Sequence, residues 1–260
     1  MGYSRQYYYK HLKNIRESEQ KAEKVKQLVD NQRKLMPRLG TRKLYHQIRP
    51  SLAQSSIKIG RDGLFTLLRE LDMLIVPKKK YVQTTMSKHW LRKYPNLIKG
   101  IRAERPEQIW VSDITYIRTD QGNCYLNMVT DAFSRKIMGY AIDDNMEAST
   151  MKQAFEMAIK GRKFKGKLIH HSDRGLQYCS REYVSIADRN GILISMTENG
   201  DPYENALAER MNRTIKEEFG LGKTIKSRGQ AKLLVKQAVE IYNNQRPHLS
   251  LKMKTPEMAH

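Results

Sequence analysis

The chain has 260 residues, of which 39% are hydrophobic, and its 48 lysines and arginines against 27 aspartates and glutamates leave a net charge of +21. This composition excludes a fully disordered chain and favours a polyanionic partner, with nucleic acid as the first candidate. No run approaches the roughly 18 apolar residues of a membrane-spanning helix, and Cys124 and Cys179 form no CxxC pair. We therefore predict an intracellular protein without a membrane segment, a disulfide framework or a zinc knuckle, in which both cysteines are buried.

The basic charge is concentrated in the first 100 residues, which carry 23 basic and 7 acidic side chains. Residues 1–76 are predicted to be helical, because apolar residues recur among the charges without strand-like alternation. Within them, Gly40–Ile48 and Gly60–Glu70 are predicted to form successive short helices of a helix-turn-helix type module. On pattern alone, such basic helices fit a solvated surface as well as a DNA-binding one. The candidate DNA contacts in this region are Arg42, Lys43 and Arg61.

Residues 77–105 are predicted to be a basic linker, because they lack clear periodicity and begin with three lysines. A lysine triplet is most often only exposed charge, but a positive linker placed next to a catalytic site could follow a phosphate backbone. Lys78, Lys79 and Lys80 are therefore candidate DNA contacts, and Trp90 is a candidate for stacking on a base.

The pattern of residues 106–222 predicts an α/β domain with a mixed five-stranded sheet flanked by helices. Three strand-like runs come first and form an antiparallel meander, after which helices and strands alternate to give the order β-β-β-α-β-α-β-α. This is the order of a ribonuclease H-like domain. The predicted strands are Ile109–Thr119, Cys124–Ala132, Lys136–Ile142, Lys167–His171 and Ile192–Ser195, and the predicted helices are Ala148–Ile159, Arg181–Arg189 and Tyr203–Phe219.

Residues 223–260 are predicted to form a C-terminal helix, about Gln230–Asn244, and a tail packed on this domain. The helix is expected to end before Arg246-Pro247, because proline cannot continue it. Tyr242, Arg246 and His248 could belong to a DNA-contacting tail or could dock the last helix onto the core, and the sequence leaves both alternatives open.

Three acidic residues occur in three different local settings. Asp113 lies in the apolar run WVSDITYI, where a charge is costly unless it is paired or binds a metal ion. Asp173 directly follows a predicted strand and precedes Gly175, and Glu209 lies on a predicted helix. Carboxylate oxygens suit Mg²⁺ or Mn²⁺, and two such ions can activate an attacking oxygen and stabilise a leaving one. Asp113, Asp173 and Glu209 are therefore predicted to be the catalytic metal ligands of a two-metal phosphoryl-transfer site.

One face of the third predicted helix carries Glu209, either Asn212 or Arg213, and Lys216, because seven residues make nearly two helical turns. Lys216 and Arg213 are therefore expected to grip a DNA phosphate beside the metal ions. Glu204 is a rival third ligand near the helix start. It lies five residues before Glu209, about 500° around the helix axis, and should face another way.

Four other residues have alternatives that we consider weaker. His170 and His171 could be metal ligands or bases, but without a partner at metal spacing they are expected to pack or hydrogen-bond beside the site. Asp131 is expected to orient a loop by hydrogen-bonding Ser134 or Arg135 rather than to act in catalysis. Trp110 heads an apolar strand and is expected to lie in the core.

These motifs together resemble the OrfB transposases of the IS3 family of bacterial insertion sequences, which have an integrase catalytic core of the DDE type. The resemblance covers nearly the whole chain. It rests on Asp113-Ile114-Thr115-Tyr116, on the block His171–Gly175, and on Asn205-Ala206 with Glu209 and Lys216. The 35 residues between Asp173 and Glu209, with Lys216 seven positions later, reproduce the spacing of this family. Glu204 and Arg210-Met211 depart from its commonest form.

The resemblance implies a DNA transposase that cleaves and joins insertion-sequence ends in a Mg²⁺-dependent reaction, with the three carboxylates as catalytic residues. It implies DNA containing the terminal repeats and the target as partner, an upstream OrfA protein or its frameshift fusion, and a homo-oligomer on paired DNA ends. Its expected location is the bacterial cytoplasm at the nucleoid.

Three other functions stay as alternatives. The first is a non-catalytic protein that binds the element's DNA ends or inhibits transposition, against which the intact carboxylates argue. A ribonuclease H-like nuclease or resolvase is disfavoured by the basic N-terminal module, and a retroviral-type integrase by the lack of a His/Cys zinc module.

Overall fold

The computed structural model describes residues 5–76, 92–145, 148–198 and 205–260. Its chain divides into two compact units, Met1–Lys78 and Lys79–His260. Five residues singled out from the sequence lie outside the described ranges: Lys78, Lys79, Lys80, Trp90 and Glu204. Within those ranges, no helix combines the length and the apolar character needed to cross a bilayer.

The first unit contains three helices: α1 (Arg5–Leu35), α2 (Thr41–Gln54) and α3 (Arg61–Glu70). The two short predicted helices are thus confirmed as α2 and α3. Apolar side chains of all three helices, and of the turn between α1 and α2, are buried together because they recur every three or four residues. These buried residues are Val25, Val29, Met36, Leu39, Leu44, Ile48, Leu52, Leu64 and Leu68.

The second unit contains a five-stranded sheet and five helices in its described ranges, in the predicted order. The strands are β1 (Ile109–Thr119), β2 (Gly122–Asp131), β3 (Ile137–Asp143), β4 (Leu168–Ser172) and β5 (Ile192–Met196). The helices are α4 (Ala148–Lys160), α5 (Arg181–Arg189), α6 (Ala206–Glu218), α7 (Arg228–Gln245) and the short α8 (Pro256–Ala259).

The sheet has the strand order β3-β2-β1-β4-β5. The strands β1, β2 and β3 pair antiparallel, whereas β4 is parallel to both β1 and β5. This mixed sheet confirms the predicted ribonuclease H-like architecture. It also places β1 at the centre, where both of its neighbours fix its register.

Helices cover both faces of the sheet, and each face has its own hydrophobic core. Side chains of α4 and α5, such as Phe155 and Tyr183, pack on one face around Trp110, which is fully buried as predicted. Side chains of α6 and α7, such as Ile215 and Val235, pack on the other face. Both cysteines are buried and unpaired, as predicted.

Part of the chain segment before β1 lies along the edge of the sheet, next to β5. The Met196 amide donates to the Pro95 carbonyl at 3.3 Å, and the Leu97 amide donates to Ser195 Oγ at 2.8 Å. Residues 92–105 therefore belong structurally to the second unit.

The contact between α4 and β3 depends on Gly139. A Cβ at this position would lie 2.1 Å from the Ala154 carbonyl oxygen and 2.7 Å from the Ala158 nitrogen, so the helix would have to move. We predict that Gly139→Ala lowers the free energy of unfolding by about 2 kcal/mol or more, as overpacked cores do. Gly161→Ala is the matched control, because its Cβ would meet only ordinary contacts of 3.5 Å or longer. Equal stabilities of the two variants in urea unfolding would contradict the prediction.

The C-terminal helix is docked by a buried polar network, which decides the alternatives that the sequence left open. Arg246 Nε and Nη2 donate to the two carboxylate oxygens of Glu218, at 2.7 and 2.8 Å, and Arg246 Nη1 lies 2.7 Å from His248 Nε2. The Tyr242 ring is fully buried, and its hydroxyl donates to the Arg135 carbonyl at 3.0 Å. These three side chains attach α7 to the core.

The ion pair between Arg246 and Glu218 is expected to contribute strongly to stability, because both partners are largely buried, with side-chain exposures of 6% and 17%. We predict that Glu218→Gln lowers the free energy of unfolding by about 3 kcal/mol, since it leaves a buried guanidinium charge uncompensated. Glu198→Gln breaks the exposed pair with Lys99 and should cost less than about 1 kcal/mol. A denaturant titration in which both variants lose equally little would show that the buried pair is dispensable.

Asp131 orients the turn between β2 and β3, as predicted. Its Oδ1 accepts from the Ser134 amide at 2.7 Å and from Ser134 Oγ at 2.8 Å, while its Oδ2 accepts from the Glu107 amide at 2.7 Å. The carboxylate is fully buried and saturated with donors. The role of Asp131 is therefore structural.

Candidate active site

The register of two parallel strands brings Asp113 and Asp173 together. Ser112 of β1 pairs with Ser172 of β4, which is the last residue of that strand. Asp113 and Asp173 each follow one member of this pair, so the two carboxylates emerge side by side where β4 ends. The strand pairing thus joins two positions that are 60 residues apart in the chain.

Asp173 is held by Gly175, which lies two residues further along the chain. The Gly175 amide donates to Asp173 Oδ1 at 3.0 Å, and a Cβ on Gly175 would lie only 3.0 Å from the same oxygen. A side chain at this position would press on the carboxylate. The glycine therefore serves the close approach of the backbone to the site.

Helix α6 and the residue before it, Asn205, contact β1 through three polar side chains. The Asn205 amide group donates to the Ser112 carbonyl at 3.0 Å, and that of Asn212 donates to Asp113 Oδ2 at 2.9 Å. Further along, the Lys216 ammonium donates to Thr115 Oγ1 at 3.3 Å. These contacts fix the helix against the strand at the level of Asp113.

Glu209 belongs to the same helix and completes the group of acids. It lies three residues before Asn212 and is exposed, while Asn212 is buried. Burial is the largest cause that raises the pKa of Glu209; Arg213 lowers this pKa and the charge of Asp173 raises it. The charge of Asp173 thus reaches both other acids, since it also acts on Asp113.

The three acids disfavour each other's charge. The pKa of the Asp113 carboxyl is raised to about 7, by burial first and by the negative charge of Asp173 next, with a smaller contribution from Glu209. Hydrogen bonds from the Ile114 amide and from Asn212 act in the opposite direction. A site that gathers acidic oxygens at this cost is one in which a cation would be favourable.

The donor set also fits a hard divalent cation. Carboxylate oxygens are the ligands that Mg²⁺ and Mn²⁺ prefer, and in the described structure Asn212 Oδ1 is a further buried oxygen without a hydrogen-bond partner. Among the residues that the structure describes, no three acidic, histidine or cysteine side chains already stand at metal-binding separations.

The ammonium of Lys216 is held by two residues of β1. Besides its bond to Thr115, it lies 4.2 Å from the centroid of the Tyr116 ring. Burial is the main cause that lowers the pKa of Lys216, and the charge of Arg118 lowers it further. The contacts of the lysine are therefore polar and aromatic.

His170 and His171, which precede Asp173, pack and hydrogen-bond beside the site, as predicted. His170 Nε2 lies 2.7 Å from Ser112 Oγ, and burial lowers the pKa of His170 to about 3, so its ring is neutral. His171 Nδ1 lies 2.8 Å from Ser195 Oγ. Each ring thus packs between strands. The candidate metal ligands are therefore the carboxylate oxygens.

The other predicted DNA contacts are placed as follows. Arg213 is exposed on α6, and in the first unit Arg42 is exposed and Lys43 half-buried on α2. Arg61, at the start of α3, is exposed and pairs with Asp62 at 2.8 Å. An exposed pair of this kind contributes little, so Arg61 could exchange it for a phosphate.

Sequence reasoning missed the roles of Asn205 and Asn212, and the contact of Lys216 with Tyr116. Helical spacing placed Asn212 or Arg213 on the face of Glu209. In the structure Asn212 bonds Asp113, whereas the charge of Arg213 lowers the pKa of Glu209. The available signal was that asparagine is a poor residue for a helix interior unless its side chain has a task. Nothing in the sequence indicated which strand residue would meet the lysine.

Comparisons with known proteins place this chain within a family. Residues 103–202 match the family described as Integrase core domain, and residues 190–256 match a second family of the same description. Asp113 and Asp173 lie in the first matched range and Glu209 in the second. The matches therefore span the whole arrangement of carboxylates.

Individual relatives agree. The chain is 36% identical to the 31 kDa protein of insertion element IS600 of Shigella sonnei, over 82% of this chain and 77% of that one. It is 34% identical to the transposase InsF for insertion sequence IS3A of Escherichia coli (strain K12), over 70% of this chain and 64% of that one. Among solved structures, the HTLV-2 integrase catalytic core domain in complex with magnesium matches with a TM-score of 0.50, at 20% identity, over 61% of this chain and 99% of that one. This last likeness concerns the fold.

Proposed function

Because this chain belongs to the IS3 family of bacterial insertion-sequence transposases, we propose that Asp113, Asp173 and Glu209 together bind two Mg²⁺ or Mn²⁺ ions during DNA cleavage and joining. The chain is a DNA transposase of the DDE type, a polynucleotidyl transferase on a ribonuclease H-like fold. The observation that carries the assignment of its site is the β1–β4 register, which sets Asp113 beside Asp173. When bound, the ions would activate the attacking oxygen and stabilise the leaving one.

The protein's own contribution is to position groups and to balance charge. The hydrogen bond of Asn212 and the Ile114 amide orient the Asp113 carboxylate before any substrate arrives. Lys216 and Arg213 would grip the phosphate backbone on either side of the scissile bond. No side chain needs to form a covalent intermediate with DNA.

Two successive in-line displacements at this site account for transposition. In the first, water attacks a phosphodiester at the element's end, a new P–O bond forms, and the bond to the leaving 3′-oxygen breaks to release a 3′-hydroxyl. In the second, that hydroxyl attacks another phosphodiester, so one P–O bond again replaces another. Resemblance to the family supports joining of one element end near the other, then a circle that is integrated later.

The first unit is proposed to contact DNA through its helix-turn-helix type module, residues 1–76. Its support is the set of basic side chains that α2 exposes, Arg42 and Arg49, next to a hydrophobic core of the same unit. Each phosphate contact should add to the salt dependence of DNA binding. The proposed contacts are Arg42, Lys43 and Arg61 in this unit, with Lys78, Lys79 and Lys80 in the basic linker of residues 77–105.

The proposed partners follow from the reaction. DNA carrying the terminal repeats and target DNA are the substrates, so the protein would act at the nucleoid. Two element ends must be held at once, which favours a homo-oligomer on paired ends. The family resemblance adds OrfA, or its frameshift fusion to this chain, as the component that recognises the ends.

Strand transfer on a plasmid that bears the element's own ends tests this function. Purified chain and its OrfA-fused form are each incubated with Mg²⁺, with Mn²⁺ or with a chelator. We expect joined or circular products only with the divalent ion, in the fused form if OrfA is needed. DNA binding without any product, in both forms and with either ion, would instead favour a non-catalytic protein that occupies the element's ends.

A further inference from the structure

The Lys216 ammonium lies between α6 and β1, where its contacts are with uncharged side chains. It donates a hydrogen bond to Thr115 and lies over the ring of Tyr116.

Tyr116 has the geometry of a cation-binding ring. The Lys216 Nζ lies 4.2 Å from its centroid, well within the roughly 6 Å of an effective cation–π contact. The guanidinium carbon of Arg118 lies 5.7 Å from the same centroid. One half-buried ring therefore lies close to two cations.

Thr115 completes the contact from the neighbouring position. Its Oγ1 accepts the hydrogen bond of the ammonium at 3.3 Å, and its side chain is half-buried against α6. Burial of the ammonium is costly, so the lysine needs these partners if it is to stay between the strand and the helix. Removing the ring would take away one of these two partners.

We propose that Tyr116 and Thr115 are positioning residues that hold the Lys216 ammonium against β1, where it meets a DNA phosphate. This inference rests on the proposed function of the site. Pre-positioning also lowers the side-chain entropy that Lys216 loses when it meets DNA.

The salt dependence of DNA binding tests the proposal without requiring activity. Fluorescence anisotropy is measured over a range of salt concentrations with a labelled duplex of the element's terminal sequence, in chelator. Lys216→Ala should reduce the slope of log K against log salt by about 0.9, the value of one phosphate contact on duplex DNA. Tyr116→Leu should reduce it by the same amount, and Tyr116→Phe, which keeps the ring, should restore the wild-type slope. Lys236→Ala, on the exposed side of α7, is the charge-matched control.

A double-mutant cycle then shows whether the ring acts through the lysine. Tyr116→Leu is expected to slow single-turnover cleavage about tenfold in the wild-type background and to have no further effect in the Lys216→Ala background. Unchanged melting temperatures of the variants would exclude unfolding as the cause. Thr115→Val and Thr115→Ser give the same comparison for the hydroxyl. Only the valine variant is expected to cleave more slowly.

Several results would overturn the proposal. A Phe variant as impaired as the Leu variant would show that the phenol oxygen, not the ring face, matters. A Leu variant that loses affinity with an unchanged slope, and loses it again without Lys216, would show that the ring contacts DNA itself. If wild-type chain binds DNA but never cleaves it, the proposed function fails, while the salt slopes still decide the positioning of Lys216.

Discussion

Asp113→Asn is expected to lower DNA cleavage and strand transfer about 100- to 1000-fold, because loss of one essential charge-stabilising group commonly costs that much. The same variant should bind the element's end DNA at least as well as the wild type in chelator, since it removes a negative charge from the site. Single-turnover cleavage of labelled duplex, with anisotropy for binding, measures both. Asp120→Asn is the matched control, because this carboxylate is exposed at the β1–β2 turn.

The third carboxylate is tested in the same assay. Glu209→Gln should be as inactive as the Asp113 variant, whereas Glu204→Gln should keep wild-type rates. The opposite pattern would make Glu204 the ligand and would contradict the placement of Glu209 beside Asn212. Full activity of both glutamine variants would show that two carboxylates suffice.

In the absence of metal ions, Asp113→Asn is expected to stabilise the protein at pH 8. The folded-state pKa of Asp113, about 7, lies above the ordinary value of 3.8, so the folded chain keeps a proton that the unfolded chain loses between these values. Stability therefore falls as the pH rises through this window, by on the order of 4 kcal/mol. The asparagine variant lacks this loss and should be more stable than the wild type by a similar order at pH 8, and alike below pH 4.

Divalent ions should reverse the comparison. Mg²⁺ at about 100 times its dissociation constant would add roughly 2.7 kcal/mol to the wild type and much less to the asparagine variant. The free energy of unfolding is measured for both proteins in urea, at pH 5 and pH 8, each with chelator or with Mg²⁺. Unfolding is followed through the buried Trp110, in a Trp90→Phe background. An asparagine variant that is no more stable at pH 8 in chelator would show that the Asp113 charge is not buried at a cost.

Much of the fold could be predicted from local patterns. The β1 run reads as a strand because β-branched and aromatic residues recur in it, and the structure has the predicted bounds Ile109–Thr119. Other bounds moved because a local signal was overlooked. Helix α7 begins at Arg228 rather than Gln230, since Ser227 caps it by accepting from the Gln230 amide.

The candidate site was predictable in its residue types but not in its contacts. The spacing of Asp173, Glu209 and Lys216 is visible in the chain, and the raised pKa of Asp113 agrees with the expectation that a charge in that strand is costly. The part of Arg246 was not predictable. The same arginine could face DNA or Glu218, and only the packing of α7 against α6 turns it inward.

The sequence by itself determined which elements form, which acids are candidates and which family the chain belongs to, because these depend on local periodicity and on residue identity at short spacing. The tertiary structure alone decided which groups meet. Strand register sets Asp113 beside Asp173, and the docking of α6 on β1 joins Asn212 to Asp113 and Lys216 to Tyr116. Such contacts depend on pairings between residues about 60 to 100 positions apart, and no local pattern specifies them.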